Sequence, residues 1–296
     1  MSFRLEMLQV ARLAPDVLGG AVKLVESFLR SQVTAEGAFP DRDGRPDLYY
    51  TVFGMEGLLA LRQEPDWEKL AAWLRTFGDG AGLDFVHLCC LARCWNAVPI
   101  GAGILPESDR TGLLERLSGW RSPDGGFNQR QSAARCSAYG SLLGWAAHYD
   151  LKAALSETDS LADCLAALRT PDGGYANEPG LPAGTTPAVA ASVALHRLLR
   201  RTPDAAVGQW LLSQIHSEGG FKAMPAAPMP DLLSTAVALH ALDGMQVSFA
   251  AHKDSLLDFV DTLWCADGGF HGHWADDALD VEYTYYGLLA LGHLAL

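Results

Sequence analysis

The 296-residue chain has no run of lysine or arginine: 22 basic residues stand against 35 acidic ones, for a formal net charge of −13. That removes the footprint of a nucleic-acid binder, and an anionic membrane surface would on average repel the chain. No stretch approaches the roughly 18 apolar residues of a membrane span. Near the start, where a secretory leader keeps an apolar core, Arg4, Glu6 and Arg12 interrupt the apolar positions. The expectation is a cytoplasmic protein with no transmembrane segment and no nucleic-acid partner. Strand signals are scarce, because Val and Ile rarely alternate with polar residues. Zinc-ligand spacing is missing too, since the CCLARC cluster (89–94) lacks a second Cys-x-x-Cys or a His-x-x-x-His to complete it. Its cysteines, together with Cys136, Cys164 and Cys265, lie mostly in apolar, helix-like stretches and read as buried thiols.

What the chain does have is apolar material and a repeat. At 49% hydrophobic and 19% charged it can bury a large core. The turn EGAF (36–39) recurs as DGGF (124–127), DGGY (172–175), EGGF (218–221) and DGGF (267–270), with a degenerate copy, FGDGAGLDF (77–85), in the gap between the first two. A spacing of roughly 46 residues belongs to a solenoid or closed array, and six units fit the length. Each unit reads as an apolar helix ending at the turn, a polar loop of about ten residues and a second apolar helix. FLRSQ, WLLSQ and LAALRT exemplify the first helix; YTVFGMEGLLAL, STAVALHAL and YTYYGLLAL exemplify the second. The glycines supply the positive φ of a helix stop, and the aromatic after them can return to the core. The expectation is an all-α array of helical hairpins.

The segments FLRSQVTAEGAF and WLLSQIHSEGGF are similar to the FL..Q...GGF pattern of the prenyltransferase and terpenoid-cyclase repeat family, and the resemblance covers nearly the whole chain. It implies an α/α toroid, an α6/α6 barrel of about six hairpins in one domain spanning residues 1–296, whose second helices line a central apolar cavity for isoprenoid chains. Closing the ring hides apolar faces that an open array would have to cap.

What the resemblance implies for chemistry depends on the residues present. Protein prenyltransferase β subunits hold zinc with an Asp-x-Cys in a late repeat and a His three residues after an Asp in the last. Here PDLLST and LDVEYT keep Asp231 but place Leu233 and Tyr283 at the Cys and His positions, and neither replaces a thiolate or imidazole. The diphosphate-binding His would fall on Gly184, whereas Arg135 does align with a family arginine. Neither a metal nor a cofactor is expected. Class II terpenoid cyclases carry D-x-D-D-T, whose middle acid protonates an alkene or epoxide. In DVEYT, Asp280 matches the first acid, Glu282 the proton donor, Tyr283 replaces the last Asp and Thr284 is kept. Such cyclases usually add a further helical domain, for which this chain has no residues.

These matches yield two catalytic candidates, Glu282 and Asp280, and seven for substrate binding: Tyr49, Tyr50, His87, Arg135, Tyr283, Tyr285 and Tyr286. An apolar site raises the pKa of a carboxylic acid, and aromatic faces can stabilise the cation it generates. Each residue also has a structural role open to it. Asp280 can cap a helix, as can Asp47, Asp84 and Asp231; Glu282 can favour the helix dipole or pair with Arg135; the tyrosines and His87 can be core. DDALD (276–280) has the D-D-x-x-D form that binds magnesium diphosphate in class I synthases, but it falls in a loop. The function classes left open are a terpenoid-cyclase-like or prenyltransferase-like enzyme, a non-catalytic toroid engaging a lipid or a protein partner, and a zinc-dependent prenyltransferase β subunit. The expected ligand is an elongated apolar isoprenoid.

Overall fold

Residues 3–155 and 158–296 are described by the structure, a computed structural model. Two N-terminal helices, α1 (Phe3–Ala11) and α2 (Ala14–Leu18), precede six helical hairpins. These pair α3 (Val22–Ser31) with α4 (Leu48–Ala60), α5 (Trp67–Arg75) with α6 (Phe85–Ala97), and α7 (Glu107–Ser118) with α8 (Ala138–Asp150). The second half pairs α9 (Thr158–Ala166) with α10 (Thr186–Leu198), α11 (Ala205–Leu212) with α12 (Leu232–Gly244), and α13 (Lys253–Thr262) with α14 (Val281–Ala295). The second helices form an inner ring, each packed on the next, and α14 closes it against α4. The chain is therefore an α/α toroid. Among the described residues, strand is confined to two short antiparallel pairs, Phe39–Pro40 with Pro46–Asp47 and Phe221–Lys222 with Pro230–Asp231. Among the described residues no helix is long and apolar enough to cross a membrane.

The repeat has a local physical cause. At each full turn the first glycine takes a positive φ, +99° at Gly268, and the chain doubles back so that the following aromatic is buried. Phe39, Phe127, Phe221 and Phe270 each donate their backbone N–H to a hydroxyl one turn into the inner helix: Thr51, Ser141, Thr235 and Thr284, respectively. Three residues further on, Gly54, Gly144 and Gly287 leave room for the rings of Phe39, Phe127 and Phe270, which a Cβ would meet at 2.3–2.8 Å. Inner-helix N-termini are capped by the side chains of Asp47, Asp84, Ser137, Asp231 and Asp280.

The second hairpin departs from the pattern expected of every unit. Its connection is a tight, glycine-rich turn over residues 76–84, and Leu88 stands where four of the other hairpins carry the hydroxyl, as Val189 does in the fourth. The N-terminal helices finish the ring: α1 packs on α4 and α14, and at Gly292 a Cβ would lie 2.1 Å from the Val10 carbonyl oxygen, so the two backbones meet there. Of the six cysteines, five are buried and Cys265 is partly exposed; all are free thiols.

Candidate active site

A cavity of about 390 Å³ runs through the inner ring, lined from all six inner helices and from Phe3 and Met7 of α1. Its walls are mostly aliphatic and aromatic, as a site for an apolar small molecule requires. The inner helices run parallel, so depth can be counted from their caps. Two residues past the cap, Tyr49, Tyr139, Pro187 and Leu233 all face the cavity.

Glu282 occupies the same register on α14, buried at 8% exposure, and lies behind Tyr49 rather than on the cavity wall itself. The Tyr49 hydroxyl donates to Glu282 Oε1 at 2.5 Å. Loss of hydration pushes the carboxyl up to about 7; the Tyr49 hydrogen bond and the Arg42 charge oppose the rise, and the nearby Asp280 charge adds to it. Burial drives the Tyr49 phenol far above its ordinary value, so it stays a donor. The aromatic wall beside this pair consists of Tyr49, Phe53, Tyr285 and Tyr286, with neighbouring rings 4.9–6.3 Å apart.

Asp280 does not hydrogen-bond to Glu282. Its Oδ1 caps the Tyr283 N–H at 2.9 Å, and its Oδ2 takes two hydrogen bonds from Arg42, at 2.9 and 2.7 Å. Arg42 also reaches Asp276 at 3.2 Å, so two of the three acids of DDALD, Asp276 and Asp280, hold a guanidinium supplied by the first hairpin's loop. Tyr283 lies beneath Arg42, 5.7 Å from its ring centroid, and Tyr50 packs edge-on against Tyr49; neither lines the cavity. His87 bridges two caps, with Nδ1 2.9 Å from Asp84 and Nε2 3.0 Å from Asp47. Those bonds, Asp47 first, push the imidazole up to about 9 against the effect of burial. Arg135 is exposed in the loop before α8, remote from Glu282 and the central cavity. Of the nine candidates, the structure gathers Glu282, Tyr49, Tyr285 and Tyr286 in one place.

Sequence reasoning missed a second polar group, deeper in the ring. Arg93 and Asp150 line the cavity, and the fully buried Glu56 lies 3.7 Å from Arg93 while also pairing with Arg4 of α1. Burial pushes the Asp150 carboxyl up to about 6, with Arg93, Arg4 and Lys152 opposing the rise; Asn96 donates to it at 2.8 Å. The available signal was a charged residue inside an otherwise apolar inner helix, as in CCLARC and VFGMEGLL. Tyr139 was accessible by register with Tyr49.

The zinc positions do not fit a metal. Both Asp231 oxygens are taken by Ser234, and Leu233 and Tyr283 supply no donor of the right kind. Among the described residues one other grouping, Asp124, Cys136 and Cys164, brings potential ligands together. Asp124 there accepts from Ser122 and the Cys136 N–H, as Asp172 accepts from Thr170 and the Gly184 N–H, so it performs the ordinary work of the turn.

The profile of the prenyltransferase alpha-alpha toroid domain matches residues 20–77, 77–221 and 189–295. The chain belongs to that family. Among solved structures, this toroid is similar to a type II terpene cyclase from Scytonema in complex with its substrate, geranylgeranyl dihydroxybenzoate: TM-score 0.60, 14% identity, 95% of this chain and 97% of that one. It is also similar to the Candida albicans protein geranylgeranyltransferase-I complexed with GGPP, at TM-score 0.63 and 13% identity over 92% and 90% of the two chains. A protein from Actinoplanes matches at TM-score 0.60 and 16% identity, over 93% of this chain and 99% of its own. No curated protein matches the sequence.

Proposed function

We propose that this chain is a single toroid domain acting in the cytoplasm as a terpenoid-cyclase-like enzyme, which folds an isoprenoid chain in the central cavity and starts its cyclisation with the Glu282 carboxylic acid. The observation that carries this reading is the Tyr49–Glu282 pair, a buried acid pushed up to about 7 and attached to an aromatic cavity wall. A carboxyl in that range is substantially protonated near neutral pH and strong enough to give up its proton. The O–H bond breaks, the alkene π pair forms the new C–H bond, and the adjacent carbon becomes a cation. The rings of Tyr49, Phe53, Tyr285 and Tyr286 stand where that cation would be faced by π density, in a site that keeps water away from it. A second alkene closes the ring, and loss of a proton ends the sequence. The Tyr49 hydroxyl holds the carboxylate that remains. Asp280 takes no proton in this scheme; with Arg42 it fixes the start of α14.

The kinship of the solved neighbours, one a terpene cyclase and one a protein geranylgeranyltransferase, supports an isoprenoid ligand. Asp150 favours a second reading in which it is the donor, because it lines the cavity directly and its carboxyl is pushed up to about 6. It lacks the aromatic surroundings of Glu282. The test is incubation with linear prenols, prenyl diphosphates, prenylated acids and squalene, followed by mass spectrometry and NMR for products isomeric with the substrate but with fewer double bonds. Loss of product in Asp150→Asn with turnover intact in Glu282→Gln would reverse the assignment.

A further inference from the structure

The polar group at depth is unlike the rest of the cavity. Arg93 stands nine residues beyond its cap, Asp84, and Glu282 two beyond Asp280. At 1.5 Å per residue Arg93 lies about 10 Å deeper along the ring axis. Among the described residues the ion pair of its guanidinium is with Glu56 Oε1, 3.7 Å from an Nε that is buried without a hydrogen bond, and the Asp150 carboxyl lies within its electrostatic reach. The fork carries five N–H donors, and leaving them unpaired in an apolar enclosure is costly. Tyr285 lines the same cavity, and its buried hydroxyl has no hydrogen-bond partner and lies within the electrostatic reach of Arg93, Glu56 and Arg4. Glu56 is already neutralised by Arg4. The unpaired nitrogens and hydroxyl of the cavity-lining residues at this depth are therefore those of one guanidinium, one phenol and His240, whose Nε2 stands 3.9 Å from Glu6.

We propose that Arg93 and the Tyr285 hydroxyl form a receptor for a planar monoanionic head group, a carboxylate, on the isoprenoid ligand, whose tail then runs up the cavity toward Tyr49 and Glu282. The proposal rests on the cavity being an isoprenoid site, and it fixes both substrate class and orientation. A carboxylate matches the guanidinium fork with two parallel hydrogen bonds. A diphosphate matches poorly, because its several charges would meet one guanidinium with the Asp150 carboxyl beside it. The head-down pose also puts the far end of the tail, not the bonds next to the head, at the Glu282 acid.

Three probes of one chain length test the assignment: a farnesyl-chain carboxylic acid, the corresponding alcohol and the corresponding diphosphate, each titrated calorimetrically into the full chain. The expected result is tightest binding of the acid, by about tenfold or more over both others. Arg93→Met, checked for folding by its melting temperature, should bring the acid down to the alcohol. Equal affinity for acid and alcohol, tightest binding of the diphosphate, or a preference for the acid that survives Arg93→Met would each overturn the head-group assignment while leaving the isoprenoid reading in place. Binding of none of the three would overturn both. The wild-type ranking decides the matter even where the variant fails to fold.

Discussion

The hydroxyl of Tyr49 donates a 2.5 Å hydrogen bond to Oε1 of Glu282, joining the first inner helix of the ring to the last. The two residues are 233 positions apart in sequence, and ring closure is what makes them neighbours. The pair therefore ties the proposed chemistry to the integrity of the toroid.

Tyr49→Phe removes this donor with little change in volume. Because the hydrogen bond lowers the Glu282 pKa, its loss should move the carboxyl above about 7. The protonated acid is the active form, so turnover falls as pH rises through that value, and the midpoint of the fall should shift to higher pH in the variant. Turnover itself should drop roughly 10- to 100-fold, since the carboxylate left after proton transfer loses its donor. A pH–rate profile of both proteins checks the shift; an unmoved midpoint would mean that Tyr49 does not act on Glu282.

Glu282→Gln should change stability in a pH-dependent way. The folded carboxyl is raised from its ordinary 4.5 to about 7, so wild-type stability present below 4.5 is lost as pH rises through 7. Glutamine does not titrate. The variant should therefore melt above the wild type at pH 8, by an amount on the order of 1–3 kcal/mol, with the gap closing at pH 4.5. Calorimetric melting at the two pH values measures it.

His87 should act at higher pH. Its imidazolium clamps the caps of α4 and α6 through Asp47 and Asp84, and its pKa is pushed up to about 9. The stability it contributes is complete below about 6.5, the ordinary histidine value, and is lost as pH rises through 9. His87→Gln should remove that loss, an effect on the order of 1 kcal/mol because the clamp is partly open to solvent. Melting curves of both proteins between pH 6 and 10 test it.

Thr284→Val should behave as a scaffold change. The hydroxyl accepts from the buried Phe270 N–H and donates to the Asp280 carbonyl, as Thr51, Ser141 and Thr235 serve the aromatics of their own turns. Leaving the Phe270 N–H unpaired should cost about 1–3 kcal/mol. The expected signature is a lower denaturant midpoint with an unshifted pH–rate profile.

That threonine shows what the sequence could and could not convey. Turns, caps and helix pairs are local, so the acidic-glycine-aromatic turn, helped by the Asp before the apolar run in three of them, disclosed five hairpins directly; the sixth, with its glycine-rich turn at 76–84, was visible mainly through its spacing. Thr284 looked like a retained piece of a cyclase motif, yet the structure finds the same hydroxyl in three other hairpins. Arg42 was invisible as a partner of Asp280, because ring closure alone brings together residues 238 positions apart. Arg93 and Asp150 were missed for a related reason: depth inside a closed ring is set by the register of helices from different repeats, and no single motif contains it.

The central claim is that Glu282 supplies the proton that starts cyclisation. Its most direct test is the Glu282→Gln variant, incubated beside wild type with the substrate that the prenyl panel reveals and assayed by mass spectrometry for the isomeric cyclic product, with binding followed in parallel. The account predicts that the variant binds the substrate with wild-type affinity and forms no product. A folded variant that turns the substrate over at the wild-type rate would contradict it.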